Sequence, residues 1–181
     1  MVAGNALQGD SYAARIPLAD TFVQLVGVAH PSPAKAAEFR RIDLVSACDA
    51  VRVAKNAGVK HFVYVSVAHP APMMKAYIEV RAECEQAIRE SGLNATILRP
   101  WYVLGPGHRW PYALLPIYRL MELFPSTRDS ALRLGLVTHS QMIEALLAAV
   151  EHPPAGVTVM EVPQIRASAL QMPRKAAPNN G

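Results

Sequence analysis

One arrangement constrains this chain more than any other. A short apolar strand, a proline-containing loop, a long amphipathic helix and a closing glycine recur, with the next strand starting at once. "TFVQLV" (21–26), "HFVYVS" (61–66) and "NATILR" (94–99) are rich in β-branched and aromatic residues. They lack polar alternation, as strands buried on both faces of a parallel sheet do. The spacing of Leu44, Ala47, Cys48, Val51 and Ala54 predicts a helix over roughly 34–57 with one apolar face. Ser32 as N-cap and Pro33 at the first helical position mark its start, and Gly58 past the end marks its stop. "AYIEVRAECEQAIRESG" repeats the ending at Gly92. Crossovers of this length join parallel strands with right-handed connections.

The rest of the chain reads less regularly. "PYALLPIYRLMELF" predicts one or two short helices interrupted by Pro116, and "LRLGLVT" a short strand. "SQMIEALLAAVE" (140–151) reads as a helix and "GVTVMEV" (156–162) as a last strand. "QIRASALQMPRKAAPNNG" shows no periodicity. The expectation is one α/β, doubly wound domain over 1–165 with a disordered tail over 166–181.

Composition excludes several classes. The net charge of +4 comes from scattered Lys and Arg with no basic run, so no nucleic-acid partner is expected. Apolar runs such as "FVQLVGVA" are far short of the roughly 20 residues a membrane span needs, and "MVAGNALQGD" has no secretion-signal pattern. Cys48 and Cys84 lie far apart in helical patterns and read as buried free thiols. The expected compartment is cytoplasmic.

"VAHPSP" (28–33) and "VAHPAP" (67–72) each follow a strand and precede a helix. Both therefore lie at the carboxyl ends of parallel strands, where open α/β sheets bind ligands. The loop "PWYVLGPGHRWPY" (100–112) joins them with Trp101, Tyr102, His108, Trp110 and Tyr112, a wall suited to an apolar or planar small molecule. His30, His69 and His108 show no metal-ligand spacing and have no carboxylate nearby in sequence, so no metal is expected and the repeat is positional.

Tyr77 and Arg81 are four residues apart, which puts a phenol and a cation on one helical face near Ser66. A neighbouring cation lowers a phenol's pKa and fits it for proton transfer. The bland alternative is a Tyr–Arg stack on a solvated helix.

"GVKHFVYVS", "YIEVRAECE" and "LRPWYVLGPG" together resemble the short-chain dehydrogenase/reductase superfamily, closest to its extended and atypical NAD(P)-binding, epimerase/dehydratase-like members. The resemblance covers roughly residues 2–162. It implies a Rossmann-like, doubly wound, mostly parallel sheet and NAD or NADP as cofactor. It implies a catalytic Tyr at Tyr77, with Arg81 where the family has the lysine that holds the nicotinamide ribose. Ser66 matches the strand-end serine, while Ala68 stands where extended members often place a hydroxyl. Pro100 and Val103 match the loop lining the nicotinamide, and Leu25 and Gly27 the strand end bordering the cofactor. His69, Trp101, Tyr102, His108 and Trp110 are left as substrate contacts.

The family's Gly-rich turn, GxxGxxG after the first strand, does not occur. "VAGNAL" (2–7) resembles the end of the third strand, with Asn5 in place of an Asp. The expectation is an N-terminally truncated domain that binds NAD(P) weakly, with an exposed edge at strand 21–26 that a protein partner would cover. Three functions stay open: a hydride-transferring oxidoreductase or epimerase-like enzyme, a non-catalytic cofactor-sensing or accessory module, and a mis-started or decayed reading frame.

Overall fold

The computed structural model describes residues 3–16, 19–71, 73–105 and 132–171. Four strands form a wholly parallel sheet: β1 (Thr21–Gln24), β2 (His61–Val65), β3 (Asn94–Arg99) and β6 (Val157–Glu161), in the order β1-β2-β3-β6. β4 (Tyr102–Leu104) and β5 (Leu136–Thr138) pair in parallel beside it. The predicted strands are present in the predicted direction. β2 shows why its sequence carries no polar alternation, since His61, Phe62, Val63 and Tyr64 are all buried. Helices lie on both sheet faces, and a strand covered twice has no polar side to display.

One face carries α2 (Ala36–Glu38), a π-helical stretch Phe39–Leu44, α3 (Val45–Asn56) and α4 (Lys75–Ser91). They pack on Phe62, Tyr64, Ala95 and Ile97, with Phe22 and Phe62 stacked at 5.5 Å. Burying a Phe or Ile side chain here contributes about 1.5–3 kcal/mol. The other face carries α5 (His139–Glu151) and α6 (Val162–Gln171) over Val63, Leu98 and Val137. Gly58 and Gly92 end α3 and α4 at φ +72° and +77°, the left-handed geometry expected of them. A capping box at Thr138 and Gln141 starts α5. A four-residue helix, α1 (Asp10–Ala13), precedes β1 and is tied to α3 by the Gly9 amide on Asp49 (2.7 Å) and by Arg52 on Asp10 (2.9 Å).

Five expectations are corrected. The helix before β2 is not regular, because the π stretch shifts the phase of its apolar face. Cys48, at the rim of the stripe formed by Ala47, Ala50, Val51 and Ala54, is exposed, while Cys84 is buried. Ser32 precedes the first helical turn, but its side chain makes no capping bond. Residues 166–171, expected in a disordered tail, belong to α6, whose Val162, Ile165 and Ser168 are buried at three-residue spacing. As expected, β1 is an edge strand among the described residues, with Val23, Leu25 and Val26 exposed, whereas residues 3–7, read as resembling a strand end, form no strand.

Candidate functional site at the carboxyl edge of the sheet

Tyr77 and Arg81 project from successive turns of α4 toward the carboxyl ends of β1 and β2. Arg81 is 6% exposed. Its Nη2 lies 2.6 Å from Asp43 Oδ1, and its Nη1 donates to the Tyr64 hydroxyl (3.0 Å) and the Val65 carbonyl (2.8 Å). Its Cζ is 5.0 Å from the centre of the Tyr77 ring, which packs on Phe39 at 4.9 Å. Asp43 comes from the π stretch and also accepts from the Val28 N–H (3.1 Å). A Cβ at Gly27 would collide with Arg81 Nη2 and stand 3.0 Å from Asp43 Oδ1. Gly27 thus lets the loop after β1 close over a buried ion pair.

The electrostatics reverse one expectation. Burial raises the Tyr77 phenol, and Asp43 adds to the rise, while Arg81 opposes it without prevailing. A cation alone would have lowered it; a cation already paired and out of water does not. Burial likewise raises the Asp43 carboxyl against the pull of Arg81. Burial by itself would lower the Arg81 guanidinium, but Tyr64, Tyr77 and Asp43 together raise it, so it stays charged.

Ser66 is drawn into a second cluster. Its Oγ donates to Glu85 Oε1 (2.6 Å), and no hydrogen bond joins it to Tyr77 among the described residues. Glu85, 3% exposed, receives Arg99 through Nε (2.9 Å) and Nη2 (2.5 Å), and Arg99 Nη1 reaches Glu161 (2.8 Å). His69 Nε2 lies 3.4 Å from Glu85 Oε1. Burial would raise the Glu85 carboxyl, but Arg99, Ser66 and His69 together hold it below its ordinary value. Pro100 is buried and its carbonyl accepts from the Ala68 N–H (2.9 Å), which joins the loops after β2 and β3. Val103 is half-buried in β4, and Trp101 and Tyr102 are half-buried edge to face at 5.6 Å. Leu25 is exposed and Gly27 half-buried. His108 and Trp110, with Tyr112 and Pro116, lie outside the described residues.

The structure thus brings Gly27, Tyr77 and Arg81 together and turns Ser66 and His69 toward Glu85. Sequence reasoning missed Asp43, Arg99 and Glu161. The signal for Asp43 was a charge at four-residue spacing between Phe39 and Ala47. No group of three or more metal-ligating side chains occurs among the described residues. No described helix is long and apolar enough to cross a membrane. Near this edge Arg81 Nε, Gln24 Nε2 and His69 Nε2 are buried without a hydrogen-bond partner among the described residues.

Comparisons with known proteins bear on the family and the fold. A family model described as NAD(P)H-binding matches residues 1–110. No curated protein matches the sequence. Among solved structures, the Bordetella bronchiseptica enzyme WbmH in complex with NAD+ is similar at 19% identity and a TM-score of 0.64, over 88% of this chain and 59% of that one. A short-chain dehydrogenase/reductase superfamily protein from Agrobacterium tumefaciens with bound NAD gives 16% and 0.63, over 91% and 69%. RMD from Pseudomonas aeruginosa complexed with NADPH gives 16% and 0.61, over 88% and 64%. The chain spans 59% of WbmH's length, and at these identities the likeness is one of fold.

Proposed function

The chain belongs to the NAD(P)H-binding family, and on that premise we propose that it is an NAD(P)-dependent oxidoreductase or epimerase-like protein acting at the carboxyl edge of its sheet. A nicotinamide bound there would supply hydride transfer. Leu25, Gly27, Pro100 and Val103 would line the cofactor, and Ser66 would border it. Tyr77 would hold or release the proton, with Arg81 as its charged neighbour. His69, Trp101 and Tyr102, with His108 and Trp110, would face a small apolar or planar substrate. The observation that carries this is the convergence of Gly27, Arg81 and Tyr77, from two different βα units, on one edge.

The expected test is Tyr77→Phe, which should lower NAD(P)H-dependent turnover of small carbonyl substrates by roughly a hundredfold or more while leaving NADH binding in place. Full turnover in the variant would remove Tyr77 from the chemistry. Since the sequence holds no GxxGxxG turn, we expect this chain to bind NAD(P) weakly. Micromolar affinity in calorimetry would contradict that.

A second reading has a specific observation in its favour. Arg81 is committed to Asp43, Tyr64 and Val65, and the Tyr77 phenol is raised rather than lowered. A cofactor-sensing or accessory module needs the binding surface without the proton transfer. It would bind NADH and turn over no carbonyl substrate, with Tyr77 or without it.

A further inference from the structure

Among the described residues, the non-glycine residues of positive φ are His30 (φ +50°) and Met74 (φ +60°), and each lies in a loop at the carboxyl edge. Left-handed backbone is costly for a residue that carries a Cβ, and it persists only where the surroundings enforce it. Met74 is the N-cap of α4, at φ +60° and ψ +36°, and Tyr77 follows in the first helical turn. An N-cap residue ordinarily has extended backbone and a side chain that accepts from the free N–H groups of that turn. Met74 has neither, and the turn contains no acidic residue. This end of α4 is held by other means.

Two contacts hold it. The Met74 carbonyl accepts from the Ile78 N–H (3.0 Å), which closes the turn that contains Tyr77. The half-buried Met74 side chain packs, as Tyr77 does, on the core cluster that includes Phe39, Tyr64 and Val80. Glycine would adopt this φ without a steric cost, and asparagine more readily than methionine does. Neither would fill the apolar space. The sequence therefore accepts an unfavourable backbone at position 74 in exchange for an apolar anchor three residues before the phenol.

We propose that Met74 is a positioning residue for Tyr77. Its left-handed backbone sets the angle at which the chain enters α4, and its core-packed side chain clamps the first turn. The Tyr77 ring is thereby kept against Phe39 (4.9 Å) and beside the Arg81 guanidinium (5.0 Å). The proposal rests on the reading of Tyr77 as the proton-transferring group and adds the residue that keeps it in place. The placement matters because proton transfer needs hydrogen-bond reach to the substrate oxygen, and a shift of about 1 Å costs up to roughly a hundredfold in rate.

The test compares the full chain with Met74→Gly and Met74→Leu. Four quantities are read: the thermal midpoint, the nuclear Overhauser contact between the Tyr77 and Phe39 rings, exchange of the Ile78 amide, and NADH-dependent turnover of a panel of small aldehydes, ketones and quinones. Met74→Gly should melt close to the parent, because the ease of glycine at this φ offsets the lost packing. It should nevertheless lose the ring contact, exchange Ile78 faster and lower kcat roughly tenfold to a hundredfold, with KM for NADH within about twofold. Met74→Leu keeps the apolar anchor and should keep both the ring contact and kcat. Retention of the ring contact and kcat in Met74→Gly would overturn the proposal. So would equal loss of kcat in Met74→Leu, or a loss that merely follows a lower thermal midpoint. If the parent chain turns over none of the panel while Met74→Gly still loses the ring contact, the enzyme reading falls and the placement of Tyr77 by Met74 stands.

Discussion

Two buried charge clusters hang from one helix, a single turn apart, and they are built for different ends. Around Glu85, Arg99 docks on the carboxylate through two donors and carries the chain of charge on to Glu161. Ser66 and His69 fill the remaining side of Glu85. Two carboxylates are met there by Arg99 and the more distant Arg89, and the Glu85 carboxyl is held down. Around Arg81, one carboxylate and two phenols share a single guanidinium, and burial pushes the phenols and the Asp43 carboxyl upward. The first cluster pins α4 to β3 and β6. The second sits under the Gly27 loop with titratable hydroxyls and an unpartnered Nε. Equal burial therefore does not mean equal role: Arg99 holds the Glu85 carboxyl down and ties α4 to the sheet, whereas the Arg81 cluster keeps raised phenols and a raised carboxyl beneath the Gly27 loop.

The contrast can be broken most severely at Glu85. Glu85→Ala leaves Arg99 with Glu161 as its remaining carboxylate and should lower stability by about 3 kcal/mol in urea unfolding. The pH dependence has a definite sign. A carboxyl depressed in the native state contributes stability above its unfolded value of about 4.3, and that contribution drains as pH falls through the folded value. His61, which burial lowers, works in the same direction from about pH 6.5 downward. Glu85→Gln should therefore flatten the acid limb below about pH 4.5 and leave the His61 slope above it.

Asp43→Asn should cost less, about 2 kcal/mol, because shape and some hydrogen bonding survive. It should also lower the Tyr77 phenol, since Asp43 is one of the groups raising it. Ultraviolet titration of tyrosinate reads this change, and an unchanged or higher phenol would contradict the coupling. Gly27→Ala should destabilise by about 1–2 kcal/mol by crowding the Asp43–Arg81 pair, a loss that thermal melts would register. The smallest effect is kinetic. Cys84 is buried with its Sγ 3.8 Å from the Asp43 carbonyl and its thiol pushed up to about 11, whereas Cys48 is exposed. A thiol reagent should label Cys48 at once and Cys84 only when the Arg81 cluster opens, and faster in Asp43→Asn.

The sheet was legible in the sequence because double burial leaves an unmistakable apolar run, and Gly58 and Gly92 mark helix ends that require positive φ. The pairing of Tyr77 with Arg81 was legible because it is local. What stayed hidden is long-range or irregular. Asp43 meets Arg81 only because a π stretch and a crossover place them together, and Arg99 meets Glu161 through the β3–β6 register. The sign of the Tyr77 shift was hidden too, since proximity of a cation is visible in spacing and burial is not. α6 carries Pro163 and a sparse Val162, Ile165, Ser168 stripe, too thin a pattern to read.

The most direct measurement is a titration of the isotope-labelled chain with NADH, followed by amide resonances. A cofactor site at the carboxyl edge predicts saturable shifts at Gly27, Ser66, Arg81 and Val103. Shifts confined to the cavity of about 400 Å³ between α5, β6 and α6, lined by Thr96, His152, Thr158 and Gln164, or none at all at millimolar NADH, would contradict it.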